Sequence, residues 1–219
     1  MGLQAELDAV HDGILGQFPN EAAMFDADTE ELVRRGLADH SLREGDHAPD
    51  FELPDQLGRF ARSVELRVKG PLVVSFYRGG WCPYCSLELQ FLQRRLPEIE
   101  ALGASLVAIS PQIPDESLST AEKQELTFPV LSDVGNIVAR QFGLVFTVSE
   151  HLRPLYIELG ADLPKYNGID TYELPLPGTF VIDQLGTICS AFVHADYKRR
   201  MDPEEIVAVL RKLKEHAVA

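Results

Sequence analysis

The strongest constraint in this sequence is a pair of cysteines set between a strand pattern and a helix pattern. Leu72–Tyr77 is a run of mostly apolar and aromatic residues, typical of a buried strand. Cys82 and Cys85 follow as a C-x-x-C pair, and apolar residues then recur at helical spacing to about Leu102. A second apolar run at 105–110 completes a strand, helix and strand. This order predicts a βαβ unit, with two parallel strands and a right-handed crossover.

A C-x-x-C pair is typical of either half a metal site or a redox centre. A zinc site needs two further ligands, but the third cysteine, Cys189, lies far along the chain. The six histidines are scattered and none forms an H-x3-5-H pair. We therefore predict no metal site. The only redox group expected is a disulfide between Cys82 and Cys85, with no bound cofactor.

The position of the pair at a helix start predicts which sulfur reacts. Unpaired backbone N–H groups and the helix dipole favour a thiolate at Cys82, so its pKa is expected below the usual thiol value of ~8.5. Arg78 would add positive charge nearby. On this reasoning Cys82 is the exposed attacking cysteine and Cys85, one turn deeper, is the resolving one.

The remaining pattern alternates between helices and strands. Pro97 is expected to kink the helix after the cysteines or to end its first part. Helices are predicted at 114–126, 136–142, 149–160 and 203–216, with a strand at 128–131, a loop-rich segment at 161–176 and a hairpin at 179–193. Asp202 is the expected N-cap of the last helix.

Composition limits the class of protein and its partners. The chain has 219 residues, 45% of them hydrophobic, with 20 basic against 34 acidic side chains and a net charge of −14. Such an acidic surface argues against nucleic acid or an anionic membrane as partner. The first residues lack the basic and apolar regions of a signal peptide, which leads us to expect a cytoplasmic protein.

Residues 1–45 are more acidic than the rest of the chain and are predicted to form a helical extension. They hold ten acidic and three basic residues, a net charge of −7. Helices this short need a surface to pack on. We expect this N-terminal arm to pack on the main domain, 46–219, or to form a homodimer contact.

Several segments together resemble the peroxiredoxin-like alkyl hydroperoxide reductase/thiol-specific antioxidant (AhpC/TSA) family. They are Gly45–Phe51, Val73–Tyr77 and Thr179–Asp183, and the resemblance covers about 46–215. It implies an α/β, thioredoxin-like fold of the peroxiredoxin type, with a central mixed sheet flanked by helices. It also implies an antioxidant oxidoreductase active in cell redox homeostasis.

The active site departs from that family at three positions. Laid on its Pro-x-x-x-Thr-x-x-Cys loop, the chain places the peroxidatic cysteine at Cys85, the threonine at Cys82 and the proline at Arg78. The family's arginine falls on Pro177. The resemblance thus implies that three supports of peroxide chemistry have been replaced.

What replaces them resembles a thioredoxin or glutaredoxin. The Cys-Pro-Tyr-Cys tetrapeptide matches the glutaredoxin motif, and Trp81 precedes it. Pro177 and Thr179 belong to a segment that resembles the thioredoxin cis-proline segment, which implies a cis peptide bond before Pro177. We expect Pro177, Thr179 and Trp81 to be supporting residues, the last as a platform for the site or as a packing residue.

Three functions remain open from the sequence. The main prediction is a thiol-disulfide oxidoreductase in which Cys82 attacks a substrate disulfide, such as that of a protein, and Cys85 resolves the mixed disulfide. The first alternative is a peroxiredoxin that reduces a small-molecule peroxide, with Cys85 or Cys82 peroxidatic. The second is a non-enzymatic redox sensor. Thioredoxin or glutathione is the expected reductant of either enzyme.

The resemblance also concerns Glu88. Cys189 and the segment 194–200 are expected to be purely structural. Glu88 matches a family glutamate that pairs with an arginine, so here it is expected either to meet Arg78 or to be a solvated helix residue. Cys189 is expected to be a small core residue. The segment 194–200 is predicted to be a polar loop.

Overall fold

The computed structural model describes residues 2–218. They form, in chain order, α1 (Leu3–Gln17), α2 (Pro19–Arg34), β1 (Glu52–Pro54), β2 (Phe60–Arg62), α3 (Ser63–Leu66), β3 (Leu72–Phe76), α4 (Pro83–Ala101), β4 (Ser105–Ser110), α5 (Pro114–Lys123), β5 (Val130–Ser132), α6 (Ile137–Gln141), β6 (Val145–Thr147), α7 (Arg153–Glu158), α8 (Leu163–Asn167), β7 (Glu173–Pro175), β8 (Gly178–Ile182), β9 (Ile188–Val193) and α9 (Pro203–Val218). Single 3-10 turns lie at Leu37–His40 and Glu150–Leu152.

A mixed sheet of five strands, in the order β5-β4-β3-β8-β9, positions the cysteines. β3 runs parallel to β4 and antiparallel to β8, and β8 and β9 form an antiparallel hairpin. The predicted βαβ unit and the predicted late hairpin are thus both confirmed, as is the mixed-sheet α/β fold. β3 is the central strand and all five of its residues are buried. Its carboxyl end delivers the chain to the C-x-x-C pair.

Helix α4 runs without a break from Pro83 to Ala101, so the expectation that Pro97 ends its first part was wrong. A proline inside a helix removes one backbone hydrogen bond and crowds the preceding turn. Here Leu92 and Leu96 before the proline and Ile99 after it are all buried in one core cluster. Packing on both sides of Pro97 therefore keeps the helix together across the missing bond.

Several small elements escaped the sequence patterns. The sequence predicts a turn and then a short strand over 45–53, and β1 is that strand, but its partner β2 was not predicted. The segment expected to be loop-rich contains α8 and the strand β7, which pairs with β6. Each of these strands has three residues. A three-residue strand is too short for alternation of polar and apolar residues to show itself.

The N-terminal helices pack into the core of the main domain. Leu3 and Leu7 on α1 are fully buried and belong to the same core cluster as Leu89 and Leu92 of α4. Asp202 joins α1 to the end of the chain, because one carboxylate oxygen accepts from the Leu3 N–H at 3.0 Å and the other from the Glu204 N–H at 3.0 Å. The predicted N-cap thus serves two helices at once.

Among residues 2–218 no helix combines the length and the apolar character that a membrane crossing requires.

We predict that Leu7→Ala destabilises the whole protein. Truncating a fully buried leucine removes its transfer free energy and leaves a cavity, which should lower the free energy of unfolding by about 2–4 kcal/mol. Urea denaturation followed by circular dichroism would measure the change. Leu15→Ala, on the same helix but 41% exposed, is the matched control and should change stability little. Equal effects of the two substitutions would show that α1 does not contribute to the core.

Candidate active site

The two cysteines lie where β3 passes into α4. Cys82 is the N-cap residue of α4, Pro83 occupies the first helical position and Cys85 lies one turn further in. Both thiols are free and both residues are buried, Cys82 with 2% and Cys85 with 0% of its surface exposed. The expectation of an exposed Cys82 was therefore wrong, because neighbouring elements cover the start of the helix.

The loop before the pair is held by close packing. The Gly80 N–H donates to Gln112 Oε1 at 2.8 Å, which ties the loop to the end of β4. A Cβ atom at Gly80 would collide with Thr120 Oγ1, so only glycine fits at this approach to α5. The loop conformation that presents Cys82 thus depends on a glycine and a buried glutamine.

Arg200 reaches the sulfur of Cys85. Its Nη2 lies 3.4 Å from Cys85 Sγ, and its Nη1 forms an ion pair with Glu88. Both side chains of the pair are almost completely buried, with 1% and 2% exposed. The Tyr197 carbonyl accepts a further hydrogen bond from Arg200 Nε at 2.8 Å, which fixes the guanidinium. Glu88 is thus neither solvated nor paired with Arg78, the two outcomes expected for it.

Arg200 is the site residue that the sequence reasoning missed. It lies at the end of the segment 194–200, which was expected to be a polar loop, and just before α9. One feature of the sequence could have indicated it. Glu88 matches a family glutamate that pairs with an arginine, but Pro177 occupies the position of that arginine. A partner for Glu88 could therefore be sought among the other arginines of the chain. No local pattern marks Arg200, because 112 positions separate it from Glu88.

These charges favour the thiolate at Cys85. Burial raises the pKa of Cys85, but the hydrogen bond from the Cys82 thiol and the charges of Arg200 and Arg78 together hold that pKa well below its usual range. For Cys82 the balance is opposite. Burial raises its pKa, and the neighbouring Cys85 raises it further. Cys85, and not Cys82 as predicted from the helix start, is therefore the sulfur whose surroundings favour the thiolate.

The buried position of Glu88 disfavours the charged form of its carboxyl. Burial raises the pKa of its carboxyl to about 7, against the lowering effect of Arg200, and the nearby Cys85 adds to the rise. Two anions, a carboxylate and a thiolate, compete for one guanidinium. The Glu88 carboxyl takes up a proton more easily than an exposed glutamate would. Arg200 is then available to stabilise the thiolate of Cys85.

Arg78 also lies beside the pair, surrounded by aromatic rings. Its guanidinium carbon is 5.1 Å from the ring centroid of Trp81, 5.7 Å from that of Tyr156 and 4.1 Å from that of Tyr197. The Tyr156 hydroxyl is hydrogen-bonded to its Nη2. Its Nε has no hydrogen-bond partner within residues 2–218, although it is buried. Trp81 thus supports a buried cation next to the cysteines.

Pro177 and Thr179 do not have the predicted arrangement. The structure shows no cis peptide bond in its described residues, so the expectation of a cis bond before Pro177 was wrong. Thr179 is buried on β8, opposite Ser75 of β3. The Leu176 N–H donates to the Leu144 carbonyl at 2.7 Å, which holds the preceding chain against another loop. A cavity lies beside Cys82, and neither Pro177 nor Thr179 borders it.

Cys189 lies on the edge strand β9, separated from β3 by β8. It is only partly buried, which differs from the expected core position, and its sulfur points to the Thr187 carbonyl at 3.6 Å. The structure does not bring it to Cys82 and Cys85.

A cavity of about 220 Å³ opens beside Cys82. Helices α1 and α2 form one side of it, and the active-site loop, α7 and Tyr197 form the other. Cys82 borders this cavity and Cys85 does not. The N-terminal arm is therefore part of the active-site surroundings, which its expected role as a packing or dimer element did not include.

The comparisons with known proteins concern the family and the fold. The model of the AhpC/TSA family matches residues 44–191. Over 103 residues the chain is 36% identical to a putative peroxiredoxin of Mycobacterium tuberculosis, covering 47% of this chain and 67% of that protein. It is 34% identical to the peroxiredoxin Bcp of Escherichia coli, covering 47% and 65%.

Solved structures give the same fold. The crystal structure of peroxidoxin BcpB from Mycobacterium tuberculosis superposes with a TM-score of 0.62 at 27% identity, covering 78% of this chain and 97% of that one. A cysteine-to-serine mutant of PrxQ from Xylella fastidiosa superposes with a TM-score of 0.60 at 21% identity, covering 80% and 98%. The second similarity concerns the fold alone.

We predict that Arg200→Met slows alkylation of Cys85. In a Cys82→Ser/Cys189→Ser background only Cys85 reacts, and the loss of the neighbouring cation should raise its pKa. Below neutral pH, where the low pKa matters most, iodoacetamide should react about tenfold more slowly. The rate measured against pH would show the inflection move upward.

Two further variants serve as controls. Arg199→Met changes the adjacent but exposed arginine and should leave the profile unchanged. Glu88→Gln/Arg200→Met avoids leaving a buried carboxylate without its partner, and should still show the raised pKa. If the inflection stays low in both Arg200 variants, the guanidinium does not stabilise the thiolate.

Proposed function

This chain belongs to the AhpC/TSA family and is a thiol-dependent oxidoreductase, and we propose that it reduces hydroperoxides with Cys85 as the peroxidatic cysteine. Cys82 is the resolving cysteine in this proposal. The peroxiredoxin alternative thereby takes precedence over the predicted disulfide reductase, because the homologues named above are peroxiredoxins.

The contact between Arg200 and Cys85 carries the proposal. A peroxidatic sulfur must be a thiolate before the peroxide arrives, and Arg200 Nη2 lies 3.4 Å from that sulfur. The arginine expected at Pro177 is absent, yet a buried guanidinium paired with Glu88 occupies the site from another part of the chain. In this proposal Arg200 takes the role of the arginine that the resemblance placed at Pro177.

In the first step the Cys85 thiolate attacks the terminal oxygen of a hydroperoxide ROOH. A sulfur–oxygen bond forms, the oxygen–oxygen bond breaks, and the alkoxide leaves and takes a proton from solvent to become ROH. Cys85 is oxidised to a sulfenic acid. Arg200 and Arg78 provide fixed positive charge where the alkoxide develops, and such preorganised charge is the usual source of rate enhancement.

In the second step the Cys82 thiol attacks the sulfenic sulfur and releases water, which leaves a disulfide between Cys82 and Cys85. Two equivalents of a thiol then reduce that disulfide and are themselves oxidised to a disulfide. The sum is ROOH and two thiols converted to ROH, water and one disulfide. The reduced form needed at the start fits a reducing compartment such as the cytoplasm.

A disulfide reductase is the second candidate, and one observation favours it. Cys82, not Cys85, borders the cavity. Against it stands the raised pKa of Cys82, which keeps this sulfur protonated and a poor nucleophile. A purely sensing role has no observation in its favour.

We predict that Cys85→Ser abolishes peroxide reduction. Turnover of hydrogen peroxide or cumene hydroperoxide should fall at least about a thousandfold, as loss of a nucleophile generally causes. Cys82→Ser should instead complete one oxidation, because Cys85 still forms its sulfenic acid, which dimedone traps. Stopped-flow fluorescence of Trp81, the only tryptophan, would follow the oxidation in the wild-type protein.

Cys189→Ser is the matched control and should keep wild-type rates, because Cys189 lies on an edge strand away from the pair. The disulfide-reductase alternative predicts another pattern. It requires Cys85→Ser to form a stable mixed disulfide with a substrate protein through Cys82, and oxidation by peroxide to be no faster than that of a free thiol. That pattern would contradict the proposed peroxidase.

A further inference from the structure

The N-terminal arm and the active-site loop form a small, partly open aromatic chamber beside Cys82. We call this the arm cavity. Its volume is about 220 Å³, and among the residues that border it are Ile14, Phe18 and Phe25 from the arm and Trp81, Tyr156 and Tyr197 from the domain. A cavity of roughly 150 Å³ lined by apolar side chains can hold a benzene molecule. The arm cavity therefore has room for an aromatic ring or a branched alkyl group.

Only one of the two cysteines belongs to the lining of this chamber. Cys82 borders it, whereas Cys85 is fully buried one helical turn further in and is not part of the lining. Once the pair is oxidised, a molecule in the arm cavity meets the disulfide at Cys82. The cavity is thus placed to receive the molecule that reduces the disulfide.

The electrostatics favour attack at that sulfur. A thiolate that attacks Cys82 forms a new disulfide bond and expels Cys85 as a thiolate. Thiol-disulfide exchange is faster when the leaving thiol is the more acidic one, and Arg200 stands against Cys85 to receive its charge. Arg78, also in the lining, adds positive charge that favours an incoming thiolate.

The lining favours an uncharged apolar thiol over glutathione. Glutathione carries carboxylates, and the lining contributes the acidic Glu21, while Asp26 is already paired with Lys198. The arm as a whole has ten acidic residues against three basic ones, which further disfavours an anionic thiol. The aromatic and aliphatic side chains of the lining suit an uncharged apolar body.

We propose that the arm cavity binds the reductant of this enzyme, and that the reductant is a small thiol with an uncharged, aromatic or branched apolar body. The first thiolate forms a mixed disulfide with Cys82 and leaves the bonding electrons on Cys85. A second thiolate attacks the sulfur of the first reductant, and Cys82 departs and takes up a proton. This inference rests on the proposed function for its place in the cycle, but its test does not.

The test measures reduction of the disulfide alone. The full-length protein is oxidised with diamide, excess oxidant is removed, and the Cys82–Cys85 disulfide is confirmed by mass. Reduction by benzyl mercaptan, 2-mercaptoethanol or glutathione is then followed by quenched alkylation, with each rate expressed per thiolate. Benzyl mercaptan should react about tenfold or more faster than either of the others, because its ring is buried in the cavity. Its rate should saturate with concentration, and benzyl alcohol should inhibit competitively.

A pair of substitutions on α1 locates the effect. Ile14→Trp fills the cavity from a partly exposed position and should remove most of the preference for benzyl mercaptan. Leu15→Trp adds the same bulk to a neighbouring residue that does not border the cavity, and should keep the preference. Circular dichroism of both variants would confirm that they fold alike.

Two results would overturn the inference. One is a ranking of the three thiols by thiolate nucleophilicity alone, without saturation. The other is an equal effect of Ile14→Trp and Leu15→Trp. Failure of the proposed peroxidase looks different, since peroxide would then not oxidise the reduced protein faster than a free thiol, while the diamide-oxidised protein would still discriminate among the reductants.

Discussion

The buried contact of Arg200 with Glu88 and Cys85 is the interaction on which the active site depends. Removing a guanidinium and a carboxylate from water costs more than their mutual attraction usually returns, so a buried ion pair is a poor way to stabilise a fold. Here the pair lies against the sulfur of Cys85, the nucleophile of the proposed function. The energetic cost is understandable if the pair holds Arg200 in place for the attack of Cys85 on the peroxide. Glu88 then acts as a positioning residue, because it orients the guanidinium and does not itself touch the reacting atoms.

The same part of the molecule holds the N-terminal arm. Asp202, two residues after Arg200, accepts hydrogen bonds from both α1 and α9. Lys198, two residues before Arg200, forms an ion pair with Asp26 of α2 at 2.9 Å. The loop that supplies the cation to Cys85 therefore also fastens the helices that cover Cys82. Placement of the arm and charging of the thiolate have a common structural origin, and a change that loosens one is expected to disturb the other.

Sequence reasoning succeeded where the determining contacts are local. The strand, the C-x-x-C pair and the following helix occupy adjacent stretches of chain, and apolar periodicity reports each of them. At Pro97 the predicted end of the helix was wrong, because packing of Leu92, Leu96 and Ile99 outweighs the local cost of a proline in a helix. For Cys82 and Cys85 sequence reasoning could use only the groups nearby in the chain. A helix dipole acts on the nearest sulfur and can be inferred from spacing, whereas Arg200 acts from 115 positions away and favours the other sulfur.

By itself the sequence determined the βαβ unit, the C-x-x-C pair at its helix start and the acidic character of the arm, because these follow from neighbouring residues and from composition. Tertiary structure alone decided which cysteine lies against a buried cation, where the arm lies and what covers the site. The physical reason is the same in each case. A charge inside a protein is governed by whatever groups the fold brings within a few ångströms of it, and Arg200, Glu88 and the arm helices reach the cysteines through folding and not through proximity in the chain.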